Sequence, residues 1–185
     1  MASLTRHNIL MNTCNSRRLD SPVPPTLGPP PRGRTLHLVD LENLLGRSHR
    51  EASFDDVAET LADYQRLAGH RPGDLAIIGT NPSLLALHAN QAWPGCQLVT
   101  RPGPHGAELA IVDRVDHHVL AHRFASLAIG SGDGFFADLA REACHSRLFV
   151  QVLTRRGSLA SVLARHAHRI TFTDRATAIR HAVAA

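Results

Sequence analysis

From Thr35 onward the chain alternates short apolar stretches with stretches of helical periodicity, and this alternation constrains the fold more than any other feature. Residues 36–40, 75–79, 96–100, 127–130, 148–153 and 170–172 read as strands. Helices are expected from Leu41, over 53–67, 82–93, 107–121, 135–144 and 158–166, and finally over 174–184. The helix over 53–67 is the best marked. Ser53 is a favourable N-cap, Asp55 and Asp56 sit in the first turn, and Val57, Leu61, Tyr64 and Leu67 recur at helical spacing. Parallel strands need helical crossovers, and those crossovers bury both faces of the sheet, so short apolar strands separated by helices predict a mainly parallel sheet. The expected fold is α/β, a three-layer α/β/α sandwich of Rossmann-like type. No internal repeat accompanies the alternation.

The chain divides at about residue 34. The segment over 21–33 is rich in proline and glycine and has no apolar period, so residues 1–34 read as a disordered basic tail ahead of one domain over 35–185. The tail holds five arginines against one acid, whereas the remainder holds fifteen arginines against fifteen acids. The sequence pI of 9.7 therefore reflects the tail and does not make the domain a basic nucleic-acid-binding surface. No apolar run approaches the roughly 18 residues of a spanning helix, so no membrane partner is expected. Ile9, Leu10 and Met11 are too short a run for a secretory signal core. Cys14, Cys96 and Cys144 form no CxxC pair, which argues against a thiolate zinc site and fits a reducing, cytoplasmic setting.

In sheets of this class the ligand site lies beyond the carboxyl ends of the strands. Taken in order, those ends lead into Asp40, Glu42 and Asn43; Thr80 and Asn81; Arg101 and His105; Ser131, Gly132, Asp133 and Gly134; and Thr154, Arg155 and Arg156. One edge of the sheet thus collects carboxylates and arginines. On a helical wheel at ~100° per residue, Glu108 falls in the middle of the stripe formed by Ile111, Val112, Val115 and Val119, and so faces inward near the strand tips. Asp113 falls on the flank of that stripe, and Asp116 two turns deeper. Asp133 stands between glycines, which allow close approach of a ligand. Asp138 reads as solvated. Asp40, Glu108 and Asp133, with Asp113 and Glu42 nearby, make a like-charge cluster that a bound dication would stabilise, and oxygen ligands select Mg²⁺ or Mn²⁺.

Three segments, LVDLENLL, HGAELAIVD and AIGSGDGFF, occur in that order and resemble the VDxEN, KGxDxxxxxD and SGDxDF motifs of the NYN branch of PIN-like ribonuclease domains, bacterial type. The likeness runs over about residues 35–173, and VLTRRGSLASVL resembles the strand–helix unit that follows SGDG in bacterial relatives. The resemblance implies a PIN-like sheet with one acidic pocket, Mg²⁺ or Mn²⁺, and cleavage of RNA. It implies Asp40 and Asp133 as metal ligands, with Asn43 orienting Asp40 or contacting a metal-bound water. Glu108 takes the place of the third motif's aspartate and Asp113 that of its later one. The sequence departs from the family in three places: Phe135 replaces the second aspartate of SGDxDF, His105 replaces the lysine that often opens the third motif, and Glu108 and Asp113 are five residues apart where six is common.

The resulting expectation is a metal-dependent endoribonuclease in which Asp40, Asn43, Glu108, Asp113 and Asp133 form the catalytic set, with Asp40, Glu108 and Asp133 on the metal. Arg101, His105, Ser131, Arg155 and Arg156 are expected to meet the substrate, the last two just ahead of a helix start at Ser158, where free amides favour phosphate. The expected partner is RNA, with a second copy of the chain as a further candidate. The alternative is a degenerate PIN-like module that binds RNA, a nucleotide or a protein without cutting. His117, His118 and His122 read as surface residues. Trp93, Tyr64 and the six phenylalanines are too scattered along the sequence to announce a base-stacking platform.

Overall fold

The computed structural model describes residues 31–46 and 52–173. The basic tail up to residue 30 and the helix expected over 174–184 lie outside the described residues. The chain forms a six-stranded, all-parallel sheet covered by helices on both faces, a three-layer α/β/α sandwich of Rossmann-like type. The strands are β1 (Thr35–Asp40), β2 (Leu75–Thr80), β3 (Gln97–Thr100), β4 (Ser126–Gly130), β5 (Phe149–Thr154) and β6 (Arg169–Phe172). Their order across the sheet is β3-β2-β1-β4-β5-β6. The helices are α1 (Leu41–Leu45), α2 (Phe54–Ala68), α3 (Leu84–Ala92), α4 (Gly106–Val112), α5 (His117–Arg123), α6 (Ala137–His145) and α7 (Ser161–Ala164). No helix among the described residues is long and apolar enough to cross a membrane.

Alternation along each strand sorts the side chains onto two cores. Leu36, Leu38, Ile77, Leu127, Ile129, Val150 and Val152 pack against α4, α5, α6 and α7. Val39, Ala76, Ile78, Ala128 and Leu153 pack against α1, α2 and α3. The split follows from the fixed hand of parallel crossovers. The chain moves outward from β1 through β2 to β3 with its helices on one face. It then returns to β4 and continues the other way, which puts the later helices on the opposite face.

Ser53 caps α2 as expected, in a capping box with Asp56. The helix expected over 107–121 is instead two helices, α4 and α5. At its end the ladder tightens, with the amides of Arg114 and Val115 donating to the carbonyls of Ile111 and Val112. Asp116 then accepts a hydrogen bond from the Val119 amide at 3.3 Å and starts α5. A carboxylate that caps competes with one that continues a helix. The break turns Leu120 (3% exposed) rather than Val119 (36% exposed) toward the sheet. The helix expected over 158–166 shrinks to the single turn of α7, and the one expected over 135–144 opens as a 3-10 turn, Gly134–Phe136, before α6.

Two features set the position of α4 and the interior polarity. Gly79 lies under α4: a Cβ there would come within 2.6 Å of the Ala107 carbonyl and the Ile111 side chain. On the other face His37 is fully buried, with its ring nitrogens 3.2 Å from the Tyr64 hydroxyl and 3.5 Å from Asp74. Burial pushes its pKa down to about 4, against the opposing pull of Asp74.

Gly79→Ala is expected to push α4 off the sheet and to cost about 1–3 kcal/mol in chemical denaturation; an unchanged midpoint would show that α4 yields freely. The neutral form of His37 is favoured in the fold, so the unfolded chain binds the extra proton between pH 6.5 and 4. Stability from this group is full above about pH 6.5 and is lost as the pH falls toward 4, by about 3 kcal/mol. Urea unfolding of wild type and His37→Gln across that range should show their stability gap narrowing toward acid.

Candidate functional site

The strand order reverses between β1 and β4, and the crevice beyond their carboxyl ends is the ligand position such sheets favour. β1 delivers Asp40, which is the N-cap of α1 and only 3% exposed. Its Oδ1 accepts from the Asn43 amide at 3.1 Å and its Oδ2 accepts from the Ser131 hydroxyl at 3.2 Å. β4 delivers Ser131, Gly132 and Asp133. The Asp133 amide donates to Ser131 Oγ at 3.1 Å, so one hydroxyl joins the two strand tips. Asp133 caps the 3-10 turn, accepting from the Phe135 amide at 2.8 Å.

The third contributor is the start of α4. His105 caps it in a left-handed conformation, φ 54°, and Glu108 follows in the first turn with its side chain 14% exposed. Among the described residues one group of three metal-competent side chains converges: His105, Glu108 and Asp133 each present a ligand atom within 4.8 Å of the others. His105 Nδ1 lies 3.5 Å from Glu108 Oε1. Glu108 and Asp133, 25 residues apart in sequence, are thus brought together, and His105 lies with them where Asp40 was expected.

Asp40 stands behind this group rather than in it. Burial raises its pKa to about 7; the donors on its two oxygens oppose that, and the charges of Glu108 and Glu42 add to it. Holding it ionised costs about 4 kcal/mol relative to water. The Asn43 side chain does not orient Asp40. Its Oδ1 accepts from the Gly132 amide at 3.0 Å, clamping the turn after β4 to α1.

Other expected site residues fall elsewhere. Asp113 is at the C-cap of α4, exposed, and paired with Arg101 at 3.0 Å, so these two face each other outside the three-residue group. Ser131, expected to meet substrate, is fully buried. Its position between two strand tips makes it a strut, because both its hydrogen-bonding directions are used within the protein. Arg155 donates from Nε to the Asn43 carbonyl at 3.0 Å, and its guanidinium lies against Gly46 at the end of α1. Arg156 lies over the Phe172 ring at 4.9 Å. The helix start expected at Ser158 to favour phosphate is absent, since α7 begins only at Ser161. Glu42 binds the Thr80 hydroxyl and both the amide and side-chain nitrogen of Asn81, fastening α1 to the tip of β2. Thr80 and Asn81 therefore serve the fold rather than only a turn, a role signalled in the sequence by nothing but their place at a strand end. The side chains of His117 and His118 lie outside the described residues.

Ser131→Ala removes one of the two donors to Asp40 and the acceptor of the Asp133 amide. It should cost about 1–3 kcal/mol in thermal or urea unfolding and raise the Asp40 pKa further above the ordinary carboxylate range in a carboxyl NMR titration. An unmoved Asp40 pKa would show that the hydroxyl donates elsewhere.

No family model matches the chain, and no curated protein matches it. Among solved structures, a protein of unknown function from Vibrio parahaemolyticus has a similar fold, with a TM-score of 0.52 and 15% identity over 76% of this chain and 92% of that one. At that identity the likeness concerns the fold alone.

Proposed function

We propose that this protein is a metal-dependent endoribonuclease that hydrolyses RNA phosphodiester bonds at the group formed by His105, Glu108 and Asp133. The observation that carries the reading is the convergence of those three side chains, with ligand atoms within 4.8 Å of one another, in the crevice where the sheet order reverses. Two carboxylates suit Mg²⁺ or Mn²⁺. The motif resemblance points to the same chemistry.

Bound there, a divalent ion would supply charge stabilisation on the phosphate and a more acidic attacking water. The chain's own residues set the stage. Glu108 and Asp133 would hold the ion, and His105 would complete the set from its left-handed cap position. Asp40, through Ser131, fixes the amide of Asp133 and so the direction of its carboxylate. Asn43 holds the Gly132 amide, and the turn that carries Asp133 cannot swing without breaking that bond. Two like charges held this close destabilise each other without a cation, which is the physical case for one.

A binding module without turnover remains the second reading, and two observations favour it: Asp113 sits outside the group, paired with Arg101, and Phe135 stands where the resembled motif has its second aspartate. The two readings separate in one assay. Incubated with single-stranded RNA, the protein should cleave in Mn²⁺ or Mg²⁺ and not in EDTA. Asp133→Asn and Glu108→Gln should each lower the rate at least about 100-fold, while Asp113→Asn leaves it within a few-fold. Binding without cleavage in either metal would select the second reading.

A further inference from the structure

Phe135 has an unusual position for a large apolar side chain. It is 37% exposed on the turn that carries Asp133, and its own amide donates to the Asp133 carboxylate at 2.8 Å. The neighbouring Phe136 is fully buried and belongs to the core with Leu139 and Ala140, so the core is filled without Phe135. Its ring is nonetheless braced. It packs edge-on against Phe136, with centroids 6.1 Å apart at 76°. It stacks nearly parallel to the His105 imidazole, with centroids 5.9 Å apart at 12°. Two rings thirty residues apart in sequence thus form one platform. His105 is also one of the three side chains whose ligand atoms converge. The apolar surface continues beyond the turn. Val162 is 46% exposed, and a Cβ on Gly134 would lie 3.0 Å from its Cγ2.

We infer that Phe135, stacked on His105, is a platform for one unpaired base of a single-stranded nucleic acid, with the adjoining phosphate turned toward the Glu108–Asp133 side. The occupant must be flat and apolar over the ring and, with the divalent ion of the proposed function bound at Glu108 and Asp133, anionic beside it, and a nucleotide has both properties. A base inside a duplex keeps both faces covered by its neighbours, so an exposed aromatic ring selects strands whose bases are already free. Bracing by Phe136 and His105 fixes the ring before the ligand arrives, so little side-chain freedom is lost on binding. The orientation of the phosphate rests on the nuclease reading above; the stacking itself does not.

The test uses the full chain and a fluorescein-labelled 12-nucleotide single-stranded RNA, with binding followed by anisotropy in EDTA and in Mg²⁺. A set of oligonucleotides with one abasic position each, and a DNA strand of the same sequence, complete the series. Phe135→Ala should weaken binding about 5- to 150-fold, the range for loss of one aromatic–base stack, with a cooperative thermal melt showing that the fold is retained. One abasic position should weaken wild type by a similar factor and the Phe135→Ala variant by little more, since both changes remove the same contact. Phe135→Trp should restore affinity, and its indole fluorescence should be quenched by RNA; the native Trp93 is buried. Phe135→Ala should leave the salt dependence of binding unchanged, because the stack it removes carries no charge. DNA binding with the same Phe135 dependence supports the stack for single strands of either sugar. Equal affinity of Phe135→Ala and wild type, or no abasic position sensitive to Phe135, overturns the inference, as does failure of wild type to bind either strand; a protein partner would then be the better occupant. If RNA binds through Phe135 but is not cleaved in any metal, the nuclease reading falls and the platform stands.

Discussion

Parallel pairing with one fixed crossover hand underlies the rest of this structure. A chain that steps from β1 outward to β3 and then restarts at β4 must place its later helices on the opposite face. Between β1 and β4 the strand order reverses, and ligand sites of such sheets lie beyond the strand ends at that point. Everything chemical in the described residues of this crevice arrives by that route: Asp40 on one strand tip, Asp133 just past the other, and Glu108 on the helix that crosses from β3. The close approach of α4 depends in turn on Gly79, since any side chain there would meet the helix backbone.

The crevice is held in an electrostatically costly state. Asp40 is buried, and its carboxyl titrates near 7 because desolvation and the charge of Glu108 outweigh its hydrogen bonds. Those bonds are nevertheless what organise the site. The Ser131 hydroxyl links the carboxylate of one strand tip to the backbone of the next, and Asn43 ties the following residue to α1. An interior polar group of this kind earns its place by fixing geometry: each donor is matched, and moving Asp133 means breaking a chain of three bonds.

Much of this is legible in one dimension. The capped helix starting after Ser53 announces itself because its signals are local: a hydroxyl, acids in the first turn and apolar residues at helical spacing. Asp40 and Asp133 are legible as strand-tip residues because period and turn chemistry mark where strands end. The break at Asp113–Asp116 is not legible, since apolar spacing runs on through it and only the Asp116 cap, a competition between equally local options, ends the helix. Asp113 stays helical and points away because it lies about 140° around α4 from Glu108, where Arg101 pairs with it. Ser131 as a buried strut, Glu42 fastened to Asn81, and His105 stacked on Phe135 each join residues thirty or more positions apart, or ninety-one in the case of Ser131 and Asp40. No local pattern carries such pairings.

The sequence by itself determined the layered α/β class and the edge of the sheet on which polar chemistry gathers. Both follow from the spacing of apolar residues and from where each strand must stop. Which carboxylates share a crevice, which are fastened to a neighbour and which arginines are already occupied was decided only by tertiary structure. Strand order and helix breaks are settled by long-range packing, and a displacement of one helical turn moves a side chain by about 5 Å, more than the whole width of the His105–Glu108–Asp133 group.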